Sequence, residues 1–250
     1  MSGVMDLTAA LTHGETEARA AFAALPPSAR GDAGAHALRL GRPHLTLDWS
    51  ADALTRAAAH LRLGDTGAAR QELRGQPDTA RPAVLHARAA RLDRAPDAAP
   101  LSAHAARLAR TEGDGNALIA AAILNAEQDL AGTDRSAHFA ALRTLAEGLK
   151  VAEMTGQPAD PHLLAVLAHA QRPLNARKAA ATAAKALDRS DPGSPARVLA
   201  LLALDRPADA HAQAQRGSLA EAWWEPFTRP PLSAARPPAT PPETNGPADG

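Results

Sequence analysis

The chain has 250 residues, balanced between 27 basic and 27 acidic side chains, with no cysteine and only 2% aromatics. A zero net charge gives no overall field toward nucleic acid or an anionic membrane. The missing thiols exclude disulfides, thiolate nucleophiles and Cys-ligated zinc, and suit a reducing cytoplasm. Alanine and leucine are abundant while β-branched and aromatic residues are scarce, a balance that favours helices over strands.

Met5 to Leu11 and Glu15 to Leu25 read as short helices, the second placing Ala18, Phe22 and Leu25 on one side. Pro26, Pro27, Gly31 and Gly34 mark a loop, and residues 35 to 40 a short helix. Leu45, Leu47 and Trp49 alternate with polar residues, which predicts an extended linker. Ser50 is the expected N-cap of a helix from Ala51 to Leu63, with Trp49 packing on Leu54 as a staple.

The longest helical pattern spans residues 115 to 155. Leu118, Ile119, Ala122, Ile123, Ala126 and Leu130 form one stripe. Phe139, Leu142, Leu145, Ala146, Leu149 and Ala152 form a second, begun at Ser136 as N-cap and ended by Gly156 and Pro158. Neither stripe is stable alone in water, so the two helices are expected to pair as an antiparallel hairpin. Similar punctuation runs on both sides. Taking turns at Gly64, Arg94, Gly132, Gln171 and Asp205, spaced 30, 38, 39 and 34 residues apart, the fifth residue onward is Ala69, Ala99, Ala137, Ala176 and Ala210. The ninth is Leu73, Ala103, Ala141, Ala180 and Ala214. Pro96, Pro173 and Pro207 fall two residues after their turns, where a helix loses least by a missing N–H.

Small residues at a fixed place in the second helix, and a period near 34, resemble the tetratricopeptide class of helical repeats. The resemblance covers roughly residues 51 to 217, without the large aromatics that class carries in its first helices. It implies an all-α fold of stacked antiparallel helical hairpins, an α-solenoid, whose first helices line a concave groove. By that resemblance Arg62 and His169, just before their turns, are expected to face the groove and bind a partner.

The expected organisation is N-terminal helices and a linker over 1–49, a helical-repeat domain over 50–227, and a disordered Pro-rich tail over 228–250. Leu219, Trp223, Trp224 and Phe227 are read as an aromatic cap helix closing the last repeat, with an exposed peptide-binding patch as the alternative. No apolar run approaches the roughly 20 residues of a membrane span, so no membrane association is expected.

Chemical motifs point to no catalytic residue, cofactor or metal. His162 and His169 share a helix face but lie about 10 Å apart, too far to chelate together. His60, His86 and His104 are scattered. Gly113-Asp114-Gly115 lacks the strand and further residues of a phosphate loop and reads as a helix stop and start. Glu147, Lys150 and Glu153 read as a surface ion-pair ladder. Arg88, Arg91, Arg94, Arg107 and Arg110 read as solvated helix surface diluted by Asp93, Asp97 and Glu112. The expected function is therefore a non-catalytic cytoplasmic protein–protein interaction module. The alternative is a nucleic-acid-associated or regulatory domain using the arginines of residues 88 to 110.

Overall fold

A computed structural model describes residues 2–228, Thr133 excepted, and folds them into fourteen α-helices with no strand among the described residues. The helices are α1 (Ser2–His13), α2 (Glu15–Ala24), α3 (Ala33–Arg39), α4 (Pro43–Trp49), α5 (Ala53–Leu63), α6 (Thr66–Glu72) and α7 (Ala80–Leu92). They continue as α8 (Ala98–Glu112), α9 (Gly115–Asp129), α10 (Arg135–Met154), α11 (Pro161–Gln171), α12 (Ala176–Arg189), α13 (Pro195–Ala203) and α14 (Pro207–Arg216). Each odd-numbered helix packs on the even-numbered one after it, so seven hairpins follow in chain order. From Arg229 on, the Pro-rich stretch expected to be disordered lies outside the described residues.

Local chemistry sets these boundaries. Side-chain oxygens of Asp52, Asp65, Asp114, Asp134, Asp160, Asn175 and Ser194 accept backbone N–H groups in the first turn of the helices they precede. Four hairpins share one turn geometry. Residues Gly41, Gly64, Arg94 and Asp205 take positive φ, and the next N–H reaches back to the carbonyl five residues earlier: Arg42 to Ala37, Asp65 to His60, Ala95 to Ala90, Arg206 to Leu201. The same geometry ends α8 at Gly113, α10 at Gly156 and α14 at Ser218, so it is a general helix stop in this chain.

The first helices form an inner layer. α5, α7, α9, α11 and α13 each touch the next, whereas successive second helices are held apart and pack mainly on the first helices beside them. Close inner helices and splayed outer ones bend the array toward the inner layer. Accordingly α11 buries every residue from Leu163 to Gln171, and α13 is buried from Val198 to Ala203. On the outside, α12 buries only Ala179, Ala183 and Ala186.

Several expectations need correction. Residues 43–49 are helix α4, not linker, because Pro43 at the first turn supplies a pre-set φ and Thr46 bonds back to the Arg42 carbonyl. Trp49 stacks on Phe22 with ring centres 4.4 Å apart instead of stapling Leu54, and Asp52 replaces Ser50 as the cap of α5. Asp134 likewise replaces Ser136. In the alanine register, Ala69 and Ala210 are buried, as are Leu73, Ala141 and Ala214 at the ninth place, but Ala99 and Ala176 face solvent, as do Ala103 and Ala180. Ala98 and Ala179 take the inward places, since the inter-helix turns differ in length. The C-terminal aromatics form two short 3-10 turns, Glu221–Trp223 and Glu225–Phe227, in place of a cap helix.

Candidate functional site

The bend brings the two ends of the array together at Arg62. Its guanidinium donates from Nη1 to the Leu38 carbonyl at 2.7 Å, from Nε to Gly217 at 3.1 Å, and from Nη2 to Gly193. These partners belong to the end of α3, the end of α14 and the loop before α13. Burial lowers the guanidinium to about 10, so it remains charged at neutral pH. Gly193 and Gly217 permit the closure, for a Cβ on Gly217 would lie 1.9 Å from the Gly193 carbonyl oxygen.

Beyond α14 the chain turns at Ser218 (φ 47°) and crosses the inner face as residues 218–228. This strap meets the last turn of α5, where the Leu61 carbonyl also accepts from the capping Gly64 N–H at 3.1 Å and the Arg62 carbonyl has no partner within the helix. The Ala220 N–H donates to the Arg62 carbonyl at 2.9 Å and the Trp223 indole Nε1 to the Leu61 carbonyl at 2.8 Å. The Arg88 guanidinium lies 4.5 Å from the Trp223 ring centre, a cation–π contact. Glu225 accepts from Arg94 at 2.6 Å. Phe227 packs on His169 and Trp224 on His211, each pair of rings 4.7 Å apart.

Beneath Trp223 is a buried charge cluster. Glu127, on α9, has a side chain 1% exposed and accepts from Arg88. Arg91 Nε lies 2.7 Å from the same carboxylate and His162 Nε2 3.1 Å from its other oxygen, both off hydrogen-bond alignment. Burial pushes the Glu127 carboxyl up, but Arg88, Arg91 and His162 outweigh it and hold the group well below the usual carboxylate range. Burial pulls Arg88 downward against the attraction of Glu127. Two guanidinium groups thus share one carboxylate, leaving the inner face with excess positive charge under the strap.

Two cavities flank this cluster. One of about 750 Å³ is bordered by Arg88, Asn116, Ile123, Gln157, His162 and Arg189. The other, about 380 Å³, lies among Arg91, Arg94, Glu127, Gln128, Glu225 and Pro226. The strap therefore only part-fills the inner face.

Arg62 and His169, expected at the groove, do lie on first helices at the inner side. Both are buried there by the chain itself, Arg62 on three carbonyls and His169 donating from Nε2 to the Leu199 carbonyl at 2.9 Å. Burial lowers His169 to about 4, so it is neutral near pH 7. The arginines separate into two groups, which corrects their reading as uniform surface. Arg88 and Arg91 are buried on Glu127, while Arg94, Arg107 and Arg110 are exposed. In the expected ladder, Glu147 turns toward Arg110 of α8 at 3.6 Å. Among the described residues no group of three His, Asp or Glu is placed to hold a metal, and no helix is long and apolar enough to cross a membrane.

Sequence reasoning missed Glu127, although it sits four residues after Ile123 on the stripe that α9 buries. A carboxylate at a core position needs a buried cation, and Arg88 and Arg91, three apart on α7, present two to one side.

No family model, curated protein or solved structure matches this chain.

Proposed function

We propose that the chain is a tetratricopeptide-like, non-catalytic protein–protein interaction module that works in the cytoplasm and binds a peptide or helix of a partner on the inner face of its stacked hairpins. One observation carries the reading: that face already holds an irregular peptide segment. It does so with helix-end carbonyls for its N–H donors, aromatic rings for its rings and a guanidinium for its carboxylate. The pairing of each odd-numbered helix with the next, and the contacts between successive first helices from α5 to α13, support the repeat assignment. The buried Glu127 carboxylate is paired with the guanidinium groups of Arg88 and Arg91 beneath that segment.

Affinity capture on the full chain followed by hydrogen-exchange mapping of the complex tests this. Protection should fall on inner residues of α5, α7 and α11. Capture of no partner, or protection confined to α8, α10 and α12, removes the reading. The nucleic-acid alternative rests on Arg94, Arg107 and Arg110, since Arg88 and Arg91 are taken up by Glu127. It requires salt-dependent retention on DNA or RNA near physiological ionic strength.

A further inference from the structure

We infer that residues 218–228 are a displaceable internal ligand, and that the partner is an extended acidic segment carrying an aromatic residue, a carboxylate two positions on and a second aromatic two beyond that. This rests on the inner face being the binding surface. The strap displays that pattern as Trp223, Glu225 and Phe227, and each has a dedicated receiver. Trp223 has the Leu61 carbonyl and the Arg88 guanidinium, Glu225 has Arg94, and Phe227 has the His169 ring.

Charge sets the partner's chemistry. The receivers include Arg88 and Arg94, with Arg91 and Arg189 bordering the cavities on either side, against the single buried carboxylate of Glu127 and the helix-capping Asp160. A segment longer than the strap, with further carboxylates, can extend into space that the strap leaves open.

Four features make the strap replaceable. It contains only two single 3-10 turns, so it carries little structure of its own to unravel. It leaves the array through a non-glycine residue at φ 47°. The buried Trp224 indole N–H meets no hydrogen-bond acceptor among the described residues. Its ion pair is also open to water, with the Arg94 side chain 70% exposed.

The test uses the full chain and a labelled synthetic peptide of residues 218–228, followed by fluorescence anisotropy. Wild type should bind it weakly, because the tethered copy competes. Glu225→Arg, and separately Trp223→Ala, should bind the peptide at least tenfold more tightly, and adding Arg94→Glu to Trp223→Ala should remove the gain. Glu225→Arg breaks a part-exposed ion pair and leaves the strap's aromatic side chains in place, so it keeps the test valid if Trp223→Ala does not fold. Folded variants that bind no better than wild type overturn the competition. A concentration-dependent dimer formed by exchanging straps also overturns it, because a second copy is then the occupant. Hydrogen exchange of the unliganded full chain separates the two levels of the argument. Fast exchange over 220–228 with no peptide bound by any variant removes the inner face as a binding surface. Exchange there as slow as in α11, with a partner still protecting α5 and α7, removes the displaceable strap alone.

Discussion

Replacing Glu127 with Leu leaves the buried guanidinium groups of Arg88 and Arg91 facing each other without a counter-charge, in a place where each side chain is under 10% exposed. Breaking a buried ion pair from one side costs about 3–5 kcal/mol, and two cations lose their partner here, so the upper part of that range is expected. Urea unfolding followed by helical circular dichroism measures it as a shift in midpoint at unchanged slope. The triple variant Arg88→Met, Arg91→Leu, Glu127→Leu should recover most of the loss, because apolar side chains of similar volume replace a buried ionic group at little cost. Glu127 also predicts an acid limb. Its folded carboxyl is held below its ordinary 4.5, so the stabilisation is full above that value and is lost as pH falls through the folded one. Glu127→Gln should flatten that limb. A loss under about 1 kcal/mol for Glu127→Leu would refute the claim that this carboxylate holds both buried guanidinium groups.

His169, lowered from 6.5 to about 4, predicts stability that is full above pH 6.5 and falls between pH 6.5 and 4 as the unfolded chain takes the proton first. Between pH 6.5 and 5 the loss should be about 1.5 kcal/mol, and His169→Gln should remove it in denaturation curves taken at the two pH values. Gly217→Ala should destabilise by more than about 2 kcal/mol, whereas Gly148→Ala, whose added carbon meets the end of the Leu163 side chain at 2.6 Å, should cost less. Arg62→Leu should leave the Gly193 and Gly217 carbonyls unpaired at about 1–3 kcal/mol each, and small-angle scattering should report a larger radius as the ends part.

The helical class and its punctuation were legible because glycine and proline mark helix ends chemically. Gly64, Arg94 and Asp205 all proved to be turn residues with positive φ. Helix α4 was hidden because Leu45, Leu47 and Trp49 fit an alternating pattern as well as a short helix, and only Pro43 at its first turn distinguished them. The alanine register was unsafe because alanine occupies inner and outer faces alike, so Ala98 and Ala99 cannot be told apart by residue type. The site itself was poorly legible. Arg62 meets the Gly217 carbonyl across 155 positions, and Arg88 meets Glu127 across 39. Ordinary hydropathy assigns such arginines to solvent, and no local signal announces that a distant carbonyl or carboxylate will cover them.

The absence of cysteine allows two spin labels to be placed without background, at Glu221→Cys on the strap and Arg107→Cys on α8, both exposed. Distances measured between them report directly whether the inner face holds the strap and releases it. One narrow population is predicted for the free chain, with a second, longer one appearing on addition of saturating 218–228 peptide. A distribution unchanged by bound peptide, or one already broad in the free chain, would contradict an inner face occupied by its own displaceable segment.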